Sequence, residues 1–383
     1  MRLLKRGMGW TMAGMGVLTV LAVRTVLGQP DLIAAPFPSL ELARATQTLS
    51  VETPAAIVHD VGRNELVILH GPVDLPAASG HGHDAHQPHE SVFPPVADVR
   101  IPLDADVFGF YVDLVDRDGE RLPDQLLHHV NLVDPDRREL FAPIAMRVAA
   151  AGNETGYKSV PPRLIGLPFH EGQRIAVHTM LHNSTEQAYE GVILRFHLRI
   201  VPDYVPGPFV RVFPFWVDVQ LPAGDKTFDL PPGDFSKSYE AQPAVGGRIL
   251  ALSGHAHRYA TGLRFEDVTD GKVLWEAAPE LDPGGNVTGV PIGSQFLHLG
   301  DPVDPQHTYR LTVDYHNPEA ETLVDAGMGS IGGVFLPSDG QAWPEVDRSL
   351  ELYQLDLRHY YRQLMGTLDE LRATVAAEAP GNG

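Results

Sequence analysis

The 383-residue chain contains no cysteine. Disulfides, zinc ribbons, iron–sulfur clusters and thiol nucleophiles are thereby excluded, and a metal site has to be built from His, Met, Asp or Glu. Eighteen histidines and eight methionines are available. Basic residues are scarce as well: 29 Lys and Arg stand against 49 Asp and Glu, a net charge of −20. Nucleic-acid binders need a basic face, so that class of partner is excluded. No Gly-x-Ser-x-Gly elbow, P-loop or Gly-x-Gly-x-x-Gly opening a helix occurs, so hydrolase, kinase-like and nicotinamide-dependent chemistry lack their sequence marks. His170-Glu171-Gly172 does not continue into a zincin motif.

Long apolar runs are equally few, and the one present is N-terminal. Arg2, Lys5 and Arg6 precede the apolar stretch Gly7 to Val23, and the segment ends in Thr25-Val26-Leu27-Gly28. Residues 1–28 read as a signal peptide or, if uncleaved, a signal anchor; seventeen apolar or small residues fall short of the roughly 20 that a membrane span needs. No cysteine follows to carry a lipid. Cleavage leaves 25 basic against 49 acidic side chains, a net charge of −24. The expected location is extracytoplasmic, with membrane contact only through an uncleaved segment.

Thirty-seven Gly and 33 Pro punctuate short, β-branched or aromatic runs such as Val107–Val115, Arg174–Leu181, Gly191–Val201 and Tyr309–Tyr315. This pattern predicts an all-β fold of two jelly-roll-like β-sandwich domains. The expected organisation is an N-terminal segment over 29–96, a first sandwich over 97–205, a Pro-rich linker over 206–240 and a second sandwich over 241–340. Leu350, Tyr353, Leu357, Tyr360, Leu364, Leu368 and Leu371 recur at spacings of three and four, predicting one amphipathic helix from Glu345 to about Glu378 within the 341–383 tail. Its stripe is expected to strap the β domains in cis. Ser79 to Ser91 holds His81, His83, His86 and His89 in a polar run: a loop, either a solvated insertion or a weak collector of metal ions. Phe213, Phe215 and Trp216 are expected in the core rather than lining a cleft.

Four features point to a metal. His128-His129 lies in an apolar strand-like run; adjacent strand residues face opposite sides, so both serve one ion only if the strand is locally irregular. His178 and His182 are four apart and share a strand face. His255-Ala256-His257 is a two-imidazole clip, with small Gly254 and Ala256 expected to leave room beside it. Met328 sits in a Gly-flanked turn, where a thioether is a soft ligand suited to Cu(I). His316, in VDYHNP, is an additional candidate ligand.

The order His-His, Val-His, His-x-His and then a methionine before a closing strand resembles the copper type II, ascorbate-dependent monooxygenases. RIPLDADVFGFYVDLV leading into LLHHVNLV, RIAVHTMLHN followed by VILRFHLRIVP, HAHRYATGLRF with GKVLWE, and DAGMGSIGGVF are each similar to that family's segments, over roughly Ala97 to Pro337. The resemblance implies two copper ions across a solvent-filled cleft. His128, His129 and His178 would hold an electron-transfer copper, with His182 as the alternative to His178. His255, His257 and Met328 would hold the catalytic copper that meets dioxygen. Ascorbate or a similar reductant would be the co-substrate, and a small molecule or peptide the compound hydroxylated at a C–H bond. The alternative is a non-enzymatic copper-binding or copper-storage protein, for which His316 would supply a fourth ligand. The chain departs from the family in having no disulfides, no counterpart for His316, and no evident residues to grip a peptide carboxylate or an amine.

Overall fold

The computed structural model describes residues 39–362, apart from 79–90, 154, 163, 203–205, 221–225, 283–284, 297–298, 340 and 342. The expected signal segment, the His-rich run up to residue 90 and the helix beyond residue 362 lie outside the described residues. Among the described residues no helix is long and apolar enough to cross a membrane.

The protein is all-β, and its sheets form two sandwiches. The first has a seven-stranded sheet in the order β1 (Ala55–Asp60), β2 (Glu65–Leu75), β10 (Tyr189–Pro202), β4 (Ala105–Val115), β8 (Ile165–Phe169), β11 (Val210–Arg211), with β7 (Lys158–Ser159) beside β4. Its opposing sheet runs β3 (Ala97–Arg100), β9 (Arg174–Leu181), β5 (Leu127–Arg138), β6 (Ala145–Gly152). Leu66, Ile68, Phe196, Leu198, Val130, Leu132 and Val177 alternate inward from both sheets into one core. Helix α1 (Leu40–Thr48) is capped by the Ser39 hydroxyl, which accepts the Leu42 N–H. It covers the other face of the larger sheet through Leu42, against Val67, Leu69 and Ile193. With both faces covered, β2 reads as the continuous apolar run LVIL instead of an alternation.

The second sandwich pairs a sheet of β12 (Phe213–Asp218), β24 (Gly329–Pro337), β15 (Gly247–Ala256) and β20 (Gly293–Ser294), with β21 (Asp301–Val303) beside β15, against a sheet of β14 (Gly233–Ala241), β22 (Tyr309–Asn317), β16 (Ala260–Asp267) and β17 (Lys272–Ala277). Two small pairs complete it: β13 (Phe228–Leu230) with β23 (Leu323–Gly327), and β18 (Glu280–Leu281) with β19 (Val287–Gly289). Its core holds Phe215, Ile249, Phe265, Leu311, Tyr315, Ile331 and Phe335. Phe215 is fully buried there, as expected; Phe213 stacks on Trp343.

Three boundaries differ from expectation. The first sandwich begins with β1 and β2 rather than at residue 97, because the apolar run of β2 sits between β1 and β10. The Pro-rich stretch 206–240 carries strands among its described residues rather than a linker: β11 joins the first sandwich, and β12 and β14 join the second. Pro214 is tolerated because β12 is an edge strand, where a missing N–H costs no ladder bond. The C-terminal helix, α2 (Glu351–Arg362), starts later than residue 345. The Asp347 carboxylate accepts the Ser349 N–H in a turn that precedes the first helical residue.

The sandwiches are stitched together. The β5–β6 connection inserts Phe141 into the second core, 5.8 Å from Phe215 and 5.7 Å from Phe265. Beside it, the buried Glu139 carboxylate accepts the N–H groups of Leu140, Arg147 and Trp216. Arg147 pairs with Asp218, and Lys226 lies 3.6 Å from Asp356 of α2. As expected, α2 straps in cis: Tyr353 and Tyr360 pack on Val133, Ala145 and Ala176 of the first sandwich.

Candidate metal centre

The histidines converge where the outer faces of β5 and β15 meet. On β5 the pairing register to β9 slips between Leu127, opposite Leu181, and His129, opposite Met180. His128 is therefore the extra residue of a β-bulge, the local irregularity that two adjacent histidines require in order to act together. Their rings lie side by side, 4.1 Å between centroids. On β15, Ala256 points into the second core, so His255 and His257 point the other way, toward the first sandwich. Gly254 also faces inward: a Cβ there would meet Leu263, Trp275 and Val290 at 3.1–3.2 Å. The small residues around the clip thus serve core packing rather than making room for an ion, a correction to the sequence expectation.

The two clips meet across the junction. His129 Nε2 lies 3.4 Å from His255 Nε2, and one nitrogen each from His129, His255 and His257 falls within a span of 4.8 Å. His128 borders this group of three, its ring 6.3 Å from that of His257. Nitrogens bound at about 2.0–2.1 Å to a tetrahedral ion stand about 3.3–3.4 Å apart, so the His129–His255 separation fits a shared cation. Burial, and then the neighbouring imidazoles of His128, His255 and His257, hold His129 well below the usual histidine range. A neutral ring presents the lone pair that a metal needs.

Met328 immediately precedes β24, whose register with β15 ends at Ala256 opposite Gly329, and His257 immediately follows β15. Tyr315 holds this corner: its hydroxyl accepts the N–H groups of His257 (3.1 Å) and Met328 (3.0 Å) and donates to the Met328 carbonyl. Burial pushes the Tyr315 phenol up to about 12. The neighbouring His316 drew attention in the sequence, whereas Tyr315 is what organises the site. The alternation of β22 sends Tyr315 inward and His316 out, where it pairs with Asp234 (2.6 Å). The alternation VDYHN was the available signal.

His178 is not part of this histidine cluster. It is buried on β9 opposite Asn131, its ring 5.3 Å from Tyr360 and 6.3 Å from His359 of α2. Burial, then His359 and His70, push it down to about 3. His182 is partly buried just past β9, its N–H donating to the Leu126 carbonyl. The ligand sets implied by resemblance, one per domain, are thus rearranged: His128 and His129 join His255 and His257, while His178 stands apart.

Other histidines face different partners. Buried His197 sits between two carboxylates, Nδ1 3.1 Å from Glu65 and Nε2 3.4 Å from Asp113, under the stacked ring of Tyr111 at 4.2 Å. Burial lowers its pKa, but the hydrogen bonds to Asp113 and Glu65 outweigh this and the net shift is upward. Buried His70 donates from Nε2 to the Pro95 carbonyl and accepts at Nδ1 from the Thr179 hydroxyl. His307 donates to Asp267 at 2.7 Å on a surface turn that also includes Asp270.

Comparison with known proteins finds no matching family model and no matching curated protein. Among solved structures, the chain is similar to one from the Sulfolobus Turreted Icosahedral Virus (10% identity, TM-score 0.35, covering 74% of this chain and 92% of that one). It is also similar to PNGF-II (8%, TM-score 0.33, covering 72% and 66%) and to a secreted protein from Parabacteroides distasonis (9%, TM-score 0.16, covering 78% and 96%). Likenesses this distant carry no argument about function.

Proposed function

We propose that the protein is a copper-dependent oxidoreductase of the extracytoplasmic space, with its copper held between the two sandwiches by His128, His129, His255 and His257. The observation that carries this reading is the 3.4 Å approach of His129 Nε2 to His255 Nε2 across the junction. The donor set supports copper. Imidazoles suit both copper oxidation states, Met328 is held at the same Tyr315 hydroxyl as His257 as a soft neighbour, and the cluster contains no carboxylate of the kind hard cations demand. Copper bound there would supply one-electron chemistry with dioxygen and a reductant such as ascorbate, and the reaction proposed is hydroxylation of a substrate C–H bond. The chain's own residues position the ligands: the bulge at His128 aligns two rings, β15 presents two more, and Tyr315 fixes the backbones of His257 and Met328.

A copper-holding protein without turnover is the second reading, favoured by the closeness of four imidazoles, which can close around an ion and leave it no open position. Copper titration of the metal-free protein, with ascorbate-driven oxygen uptake followed in parallel, tests both. The expected result is one equivalent of tight copper, the junction ion, lost in His255→Ala and in His129→Ala, and oxygen uptake abolished in both and in Met328→Ala. Tight copper without oxygen uptake selects the holding protein. Tight binding unaffected by His255→Ala overturns the site.

A further inference from the structure

We propose that His178 of β9 and His359 of α2 form a second metal site, a two-imidazole clamp for a soft monovalent cation, Cu(I), closed by the C-terminal helix. The inference extends the copper reading of the junction but stands on different residues.

The outer face of the β5–β9 pair carries, in register, His129 opposite Met180, Asn131 opposite His178 and Val133 opposite Ala176. The junction cluster occupies one end of this row and α2 covers the other, through Tyr353 and Tyr360. His178 is caught between them. It is only 8% exposed, and Phe93, Tyr360 and His359 surround its ring at 5.9, 5.3 and 6.3 Å. Its Nδ1 is enclosed and has no hydrogen-bond partner among the described residues. A buried polar atom left unsatisfied carries a desolvation penalty, and in a folded protein it calls for an explanation. His70 sharpens the point. It is more deeply buried still, yet both of its nitrogens are satisfied.

A metal supplies the missing partner. An imidazole bound at about 2.0–2.1 Å places its ring centroid about 3.2 Å from the ion, so two rings on one near-linear ion have centroids about 6.4 Å apart. The observed 6.3 Å matches that arrangement. Near-linear bis-imidazole ligation suits a d10 monovalent ion, whereas Zn(II) requires four ligands. The site lies close to the first: His178 and Met180 are two residues apart, about 6.6 Å along β9, and Met180 faces His129.

Anaerobic Cu(I) titration of the full chain tests this, with a competing chelator to strip ions held weakly by the His-rich run. Wild type is expected to bind two equivalents. His359→Asn and His178→Asn should each lose the same single equivalent and keep the junction ion, whereas His255→Ala should lose the other. His359→Met, which keeps a soft ligand on the helix, should retain the second equivalent, separating ligand loss from helix damage. Metal-free melting temperatures of the variants report on folding directly. Two equivalents in His359→Asn at unchanged affinity would overturn the proposal. One equivalent in wild type, lost in His255→Ala but kept in His359→Asn, overturns it while leaving the junction site standing. One equivalent lost in His359→Asn but kept in His255→Ala does the reverse. Equal affinity for Zn(II) would overturn the assignment to a soft, two-coordinate ion.

Discussion

His197 and His129 sit on neighbouring sheets of one sandwich and are put to opposite uses. His197 has a carboxylate at each nitrogen, so both ring nitrogens donate and the imidazolium is the stable form. His129 faces other imidazoles, and crowding and burial keep it neutral. The ionic setting is a structural brace for the sheet. The all-imidazole setting offers lone pairs, gains nothing from protonation and has the chemistry of a ligand set. What surrounds a histidine, more than the histidine itself, tells the two roles apart.

The largest expected effect lies on the brace. His197→Ala removes the cation that bridges buried Glu65 and partly buried Asp113; Asp113 keeps Arg195 and Glu65 keeps Tyr111, so the loss should be about 3 kcal/mol in denaturant titration. His129→Ala in metal-free protein removes only a neutral, crowded ring and should cost clearly less. Equal losses would break the comparison.

Acidity gives the second contrast. The folded His70 is held at about 4 against 6.5 for the free side chain, chiefly by burial. Its stability contribution is therefore fully present above pH 6.5 and lost as the pH falls toward 4, by at most about 3 kcal/mol. His197, with its pKa raised, has the opposite sign: its contribution is present below pH 6.5 and lost as the pH rises through its folded value. The stability difference between wild type and His70→Gln, measured by denaturant unfolding from pH 4 to 7.5, should grow with pH. A flat difference would show that His70 is not held neutral.

Tyr315→Phe comes next. It removes one hydroxyl that serves three backbone groups at the corner of His257 and Met328, at a cost of about 1–3 kcal/mol. Copper affinity should fall although no ligand is touched, as read by chelator competition. The smallest effect is expected at His316→Ala, which loses one exposed pair with Asp234: a few tenths of a kcal/mol at most, with copper stoichiometry unchanged. Loss of an equivalent there would return His316 to the list of ligands.

Much of this was legible in the chain. The strands Arg174–Leu181 and Tyr309–Asn317 follow from β-branched runs bounded by turn residues, and the His-x-His clip follows from the two-residue repeat of a strand. The Pro-rich stretch misled because proline reads as a break in sequence, while an edge strand such as β12 has no ladder partner for the missing N–H on one side. The bulge at His128 was legible only as a requirement. His359 carried no signal, since nothing in a helical stripe announces which strand it will cover.

The sequence by itself determined an all-β chain without thiols, acidic in charge, whose candidate ligands are imidazoles and a thioether: composition and two-residue periodicity are local properties and survive without any knowledge of packing. Only the tertiary structure decided how the candidate ligands are grouped. It joined His128 and His129 to His255 and His257 across the junction and set His178 beside His359, because those pairings depend on which outer faces meet, and that is settled by contacts between residues more than a hundred positions apart.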